Sequence, residues 1–334
     1  MNKENIILID FPLPKQWEFH QGIEKETGDL WKVIGCTSNQ LRTNIWKKIC
    51  RYIRYFSFPW KIFCNRKSYN KIIAWQQFYG LIFAFFEKIF HVKKENYLVV
   101  MTFIYKEKKW GGRLYYNFIK YIIESDYVDK LVVFSSSEKR YYSELFNISE
   151  DKFFCTNIGI EDISDKYKIS NNGRMLAVGR SNRDYDFLIS SLKGTGVPID
   201  IICDTVNFEN EDNIIVYKNI SGDAYYKMLA RCNAVIIPLK ERKISSGQLV
   251  ILQAMMMGKP LIITEAESIK DYVTNEKTAL IIEKNKKDLL MAINRVYEDL
   301  SLYKTLQIQE RSEYEENYSL FKMGCNIGRF VKKG

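Results

Sequence analysis

Short apolar runs rich in Val, Ile and Leu recur along the chain, and helical patterns or polar turns separate them. Continuous apolarity, as opposed to strict alternation, means that both faces of a strand are covered. That is the habit of parallel sheets flanked by helices. In the first half such runs occupy residues 5–10, 31–36, 71–75, 97–103 and 130–135, with helical patterns at 113–125 and 138–146. The series restarts with strands at 174–178, 199–203, 214–217, 234–238, 260–264 and 278–282, and helices at 186–192, 223–231, 248–257 and 286–300. Between the two series lies NISEDKFFCTNIGIEDISDKYKISNNGR, polar and broken by Gly and Asn, which reads as a linker. A chain of 334 residues is long enough for two domains. The expected fold class is therefore α/β: two doubly wound Rossmann-like domains facing a central cleft, with ligands beyond the carboxyl ends of the strands.

Charge is unevenly placed. The net charge is +10, and residues 41–95 hold twelve Lys or Arg against two Glu, so the rest of the chain is near neutral. The same block is aromatic, as in IWKKICRYIRYFSFPWKIF and IIAWQQFYGLIFAFFEKIF. Its longest apolar run, 72–86, is interrupted by Gln76 and Gln77 and is shorter than the roughly 20 residues a spanning helix needs. Cationic and aromatic side chains together suit the interface of an anionic membrane, so the region 42–94 is expected to lie on one. The competing reading is a core with a solvated charged face. No nucleic-acid-reading motif accompanies the block, and no nucleic-acid partner is expected. Seven cysteines at wide spacings, with no CxxC, argue against a disulfide framework and against zinc. The amino terminus leads almost directly into the strand NIILID, and no signal peptide is read there.

Two segments of the second half carry the chemistry. In SSGQLVILQAMMMGKPLIIT, Ser245 and Gln248 stand in the S-x-x-Q relation of a capping box. Gly247 permits a tight turn, and Gly258 with Pro260 stops the helix. A helix opening near Gln248 presents unpaired N–H groups and a positive dipole end, which suits a diphosphate; a capped core helix without ligand is the alternative. Met255, Met256 and Met257 fit core filler in a helix apolar nearly all round. In MLAVGRSNRDYDFLISSL, a strand runs into Gly179, Arg180, Ser181, Asn182 and Arg183, and Asp186 is a candidate N-cap. Two guanidinium forks beside a strand-end glycine match phosphate oxygens. Asp184 and Asp186 spell the D-x-D of metal-dependent sugar transfer, but they follow a basic turn and enter a helix, so no metal is expected.

With VGRSNRDYDFL, YKNISGDAYYKMLARCNAVIIPL and SSGQLVILQAMMMGKPLIIT in place, residues 174–300 resemble the GT-B glycosyltransferases, specifically the glycosyltransferase family 4-like enzymes of bacterial surface polysaccharide synthesis. The first half resembles them more weakly, through KIIAWQQFYGL and DKLVVFSSSEKRYYSELF. The resemblance implies a nucleotide-sugar site. Family members carry Glu, seven residues, then Glu across this turn and helix; here Ser245 and Gln253 hold those positions, so both carboxylates are missing. It implies ribose contact for Gln253, sugar contact or capping for Ser245, and diphosphate binding by the backbone from Ser246 and Gly247 through Gln248, Leu249 and Val250. Arg180 and Arg183 would neutralise the leaving diphosphate, Gly179, Ser181 and Asn182 would line the turn, and Tyr217 and Lys218 would lie along the base. His20, in the loop after the first strand, is the candidate near the reaction centre, with Asp10 and Glu18 as further candidate bases.

The resemblance also implies the domain plan: 1–165 as the acceptor- and membrane-side domain, 166–308 as the nucleotide-sugar domain, and 309–334 as a helix crossing back to the first. The expected activity is transfer of a sugar, with retention and without metal or other cofactor, from a nucleotide diphosphate sugar (a UDP-sugar first) to a lipid-linked saccharide acceptor. Capsule, exopolysaccharide or O-antigen synthesis is the setting, cytoplasmic and peripheral on the inner face of the cell membrane. The alternatives are a nucleotide-sugar epimerase or phosphorylase on the same architecture, and a non-catalytic membrane-bound partner of an active transferase, which the missing glutamates motivate.

Overall fold

Each apolar run read as a strand forms one, and every strand pair is parallel. The computed structural model describes residues 3–37, 45–108, 111–211, 213–242 and 246–333. The chain divides into two units, Met1–Thr156 with Gly324–Gly334, and Asn157–Met323. The first contains β1 (Glu4–Ile9), α1 (Glu18–Thr27), β2 (Trp31–Gly35), α2 (Ile45–Cys64), β3 (Tyr69–Ala74), α3 (Gln77–Ile89), β4 (Tyr97–Val100), α4 (Gly112–Ile123), β5 (Lys130–Val133), α5 (Ser136–Phe146) and β6 (Phe153–Cys155). The second contains β7 (Met175–Val178), α6 (Tyr185–Leu192), β8 (Ile199–Ile202), β9 (Ile214–Tyr217), α7 (Asp223–Arg231), β10 (Val235–Ile237), α8 (Gln248–Met256), β11 (Leu261–Thr264), β12 (Leu280–Ile282), α9 (Lys286–Glu298) and α10 (Leu300–Glu313). A π turn at Tyr314–Tyr318 leads into α11 (Leu320–Lys333), which joins the first unit from Gly324 on.

The sheet orders are β2-β1-β3-β4-β5-β6 and β12-β11-β10-β7-β8-β9. In each, the strands near the middle are wholly buried: Ile6 to Leu8, Ile72 to Ala74 and Leu98 to Val100 in one, Met175 to Ala177 and Val235 to Ile237 in the other. Removing such side chains from water stabilises the fold by about 1.5–3 kcal/mol each before chain entropy is counted. Helix α3 is apolar on nearly every side because Tyr79, Leu81, Ile82, Phe83 and Ala84 are all within the core.

The stretch read as a linker is structured. Its residues 153–155 form β6, paired with β5 through Leu131 and Phe153. Three residues are too few for a periodic signal to stand out from polar surroundings. From Asn157 the chain packs on the second core through Ile158, Ile160, Ile163 and Tyr167.

The end of the chain depends on two glycines. A Cβ on Gly324 would stand 2.2 Å from the Phe19 carbonyl oxygen, and one on Gly328 would stand 3.0 Å from the Ile23 Cα, so α11 lies directly on the α1 backbone. Phe330 stacks on Phe154 with centroids 4.0 Å apart, and Lys71 Nζ donates to the Val331 carbonyl at 2.6 Å. Tyr318 stays with the second unit, where it stacks on Tyr272.

Two predictions follow from burial. Gly324→Ala inserts a methyl where backbone already lies and should lower stability by about 1–3 kcal/mol in denaturant unfolding. Glu87, on the last turn of α3, is 1% exposed with Oε1 unpaired among the described residues. Burial raises its carboxyl to about 8 although Lys94 and Arg66 oppose the shift. The unfolded chain releases this proton first, at the ordinary value of 4.5. Stability should therefore fall as pH rises from about 4.5 to 8, by up to about 5 kcal/mol, and then level. In Glu87→Gln the fall should flatten when melting temperature is followed against pH.

Candidate functional site

In the second sheet β7 has β8 and then β9 on one side, and β10, β11 and β12 on the other. The strand order therefore reverses between β7 and β10, and doubly wound sheets hold ligands beyond the carboxyl ends of the strands at such a point. The loops that follow β7 and β10 meet here and are zipped together. Asp184 N donates to the Pro238 carbonyl at 2.7 Å, and Lys240 N donates to that of Asn182 at 3.2 Å. The Asn182 amide closes the zipper: Nδ2 donates to the Glu241 carbonyl and Oδ1 accepts from the Glu241 amide, both at 2.9 Å. Asn182 has φ 54°, a left-handed conformation that its short polar side chain tolerates.

Arg183 lies at the centre of this junction. Its Nε donates to the Val178 carbonyl at 3.2 Å, and Nη1 donates to the Ser181 carbonyl at 2.9 Å and to Ser246 Oγ at 3.2 Å. Ser246 Oγ donates in turn to the Ser181 carbonyl at 2.9 Å. Nη2 is left beside two glycines: a Cβ on Gly179 would stand 3.1 Å from it, and one on Gly247 would stand 3.8 Å away. Both glycines have positive φ, 118° and 100°, where a side chain would be strained as well as obstructive. Among the described residues no carboxylate pairs with Arg183 and no acceptor takes Nη2. Burial lowers the guanidinium's proton affinity, and the neighbours that oppose this are Tyr185, Cys203 and Tyr225, none of them a carboxylate.

Helix α8 begins at Gln248, as the sequence predicts. The N-cap is Gly247, with φ 100° and no side chain of its own to cap with. Its positive end thus opens beside Arg183, with Leu249 exposed and Val250 half-buried on the first turn. Ser245 lies outside the described residues. Asp184, not Asp186, caps α6, accepting from Phe187 N at 3.0 Å; its other oxygen pairs with Lys284 at 3.1 Å, and Asp186 points to solvent. The two aspartates of D-x-D are thus committed to different surroundings.

The remaining candidates are placed variously. Gln253 is occupied on both sides, accepting from Tyr225 OH at 2.9 Å and donating to Tyr226 OH at 3.0 Å, so its amide ties α7 to α8. Arg180 is exposed and faces Asp204, with Nη1 to Oδ2 at 3.5 Å. A cavity of about 350 Å³ lies at the carboxyl ends of β7 and β8, walled by Gly179, Arg180, Cys203, Asp204, Asn219 and Ser221. Tyr217 and Lys218 are not in its wall: Tyr217 is within β9, and Lys218 Nζ turns to Asn207 Oδ1 at 3.0 Å. The chain bends after β9, so the residues just beyond them form the wall. Asp204, Asn219 and Ser221 went unnoticed in the sequence. The only signal was an acid following the apolar strand IDIIC. A larger cavity of about 640 Å³ sits at the far end of α8, by Met256 and Gln307, away from the strand ends and from any unpaired cation of the junction.

His20 is not in a loop. It lies within α1, where Nε2 donates to the Trp31 carbonyl at 2.7 Å and lies 3.2 Å from Glu24 Oε1. Glu18 begins that helix, and buried Asp10 accepts from Gln76 Nε2 at 3.0 Å.

No curated protein sequence matches the chain. The family model of glycosyl transferases group 1 matches residues 201–313. Among solved structures, Anabaena HepE in complex with UDP is 13% identical with a TM-score of 0.69, covering 99% of this chain and 100% of that one. Sucrose-phosphate synthase from Thermosynechococcus elongatus is 13% identical with a TM-score of 0.68, and each chain is covered to 99%. WaaG, a glycosyltransferase involved in lipopolysaccharide biosynthesis, is 10% identical with a TM-score of 0.59, covering 98% of this chain and 100% of that one. At such identities the structures speak for the fold, and the matched segment spans most of the second sheet and helix α8. The chain has the GT-B fold of these structures, and residues 201–313 in its second unit match the model of glycosyl transferases group 1.

Proposed function

We propose that the junction of Arg183 with the opening of α8 binds the diphosphate of a nucleotide sugar, a UDP-sugar, and that the chain transfers the sugar to a lipid-linked saccharide acceptor at a membrane surface. The observation that carries this is the half-buried guanidinium, without a carboxylate partner among the described residues, beside the Gly247 turn that opens α8. A partly desolvated cation without a counter-ion is unfavourable, and a bound anion removes the imbalance. Nη2 and the first amides of α8 are donors fixed before the reaction. They stabilise the charge that grows on the leaving diphosphate without reorganising, an effect of about 2.7–4 kcal/mol per donor in comparable sites. The charge is met by these groups in place of a metal, and the family resemblance supports retention. HepE structures that hold UDP and UDP-glucose add support for the donor class.

Helix α2 supports the acceptor side of the reading. Tyr55, Ile62 and Phe63 turn inward to the core, while Trp46, Ile49, Ile53, Phe56 and Trp60, spaced by three and four, form an outer stripe each at least 42% exposed. Exposed Lys47, Lys48 and Lys61 belong to the same helix. No helix among the described residues is long and apolar enough to cross a membrane. The stripe lies in the interface of an anionic bilayer, each nearby cation contributing about 1 kcal/mol, and capsule, exopolysaccharide or O-antigen synthesis on the inner face of the cell membrane is the setting this suits.

UDP at a hundredfold excess over Kd should stabilise the protein by about 2.7 kcal/mol in thermal unfolding. Arg183→Met should weaken UDP binding about 10- to 100-fold while uridine binding changes little; equal loss of both would place the phosphates elsewhere. The protein should sediment with phosphatidylglycerol vesicles at low salt. The double variant Trp46→Ser, Trp60→Ser should stay in the supernatant, whereas sedimentation unchanged by the variant and by salt would remove α2 from the interface.

A further inference from the structure

Asp204 has no part in the reading above, yet it occupies the place of a ribose-binding acid. It follows β8 by two residues, and β8 is the sheet neighbour of β7, whose end carries the glycine turn at Gly179. In the dinucleotide-binding doubly wound sheets, whose glycine turn likewise follows the first strand, an acid about 20 residues further on takes a ribose hydroxyl. Here the two stand across the cavity at the strand ends, and both are in its wall.

The carboxylate is already oriented. Oδ1 accepts from Asn219 N at 2.8 Å, and Oδ2 faces Arg180 Nη1 at 3.5 Å. The backbone bond depends on Asn219 adopting φ 58° in the turn after β9. The Asp204 side chain is nevertheless 43% exposed, and each oxygen keeps a free lone pair for a further donor. The other candidate for ribose contact is committed elsewhere, because both ends of the Gln253 amide are held by Tyr225 and Tyr226. A vicinal diol offers two O–H donors at the spacing of one carboxylate. A uracil edge offers mainly carbonyl acceptors, which a carboxylate repels.

We infer that Asp204 reads the ribose of the donor nucleotide, accepting hydrogen bonds from its 2′- and 3′-hydroxyls in place of a side chain from α8; this rests on the nucleotide-sugar reading of the same site. Arg180 then has two tasks. It faces Asp204 with Nη1 3.5 Å from Oδ2 and lies where it can turn to phosphate when a nucleotide enters.

The test is a comparison of UDP with 2′-deoxy-UDP by calorimetry, on the full chain. The wild type should bind UDP about 10- to 100-fold more tightly. Asp204→Asn keeps an acceptor for Asn219 N and so keeps the turn, which an unchanged melting temperature verifies. It should bring the two affinities to within about threefold of each other. A carboxylate that merely ordered the turn would weaken both ligands alike and leave their ratio intact, which would overturn the inference. So would a ratio kept in Asp204→Asn but lost in Gln253→Met. A wild type that binds both ligands equally also overturns it while leaving the donor reading standing. A wild type that binds neither UDP nor GDP removes the donor reading and this inference together.

Discussion

The second unit is organised around one cation. Arg183 reaches back to the end of its own strand, to its own loop and across to Ser246, so a single guanidinium joins the turns after β7 and β10. The sheet topology places those turns side by side, Gly179 and Gly247 clear the space around Nη2, and α8 begins directly after Gly247. The half-desolvated charge is unfavourable alone, and both turns have a positive φ that glycine adopts readily. On the proposed donor reading, a bound diphosphate offsets that charge.

The absent glutamates look different in this frame. At position 253 the amide is a strut between two helices, held by a pair of tyrosines, of which Tyr225 is buried. A carboxylate there would need the Tyr226 hydroxyl to reverse its role from acceptor to donor. The polar side chain facing the cavity comes instead from the end of β8. On the inference drawn for Asp204, ribose contact comes from the end of a strand and not from the helix.

Both sheets were legible in the sequence because their strands are continuously apolar, and this pattern survives without any alignment. Helix starts were legible where one residue type decides them, as at Gln248 after Gly247 and at Asp223 after Gly222. Elements without a period were not. Strand β6 is three residues long, and α2 is apolar on two opposite faces, so neither showed a single clean repeat. Site residues divided in the same way. Arg183 was visible beside its glycine, but the difference between it and Arg180 was not, since both lie in one basic turn and only packing shows that one is clamped and the other faces an acid. Asp204 becomes meaningful only once β7 and β8 are known to be neighbours, which is a property of topology.

The return of α11 onto α1 has a bearing on how the protein is made. During synthesis from the amino terminus, the first sheet emerges complete, yet the groove over Phe19 and Ile23 has no cover until Gly324 and Gly328 arrive after the whole second unit. The first unit must therefore persist for most of translation with part of its apolar surface open, and its final closure is a long-range event that waits on the second unit.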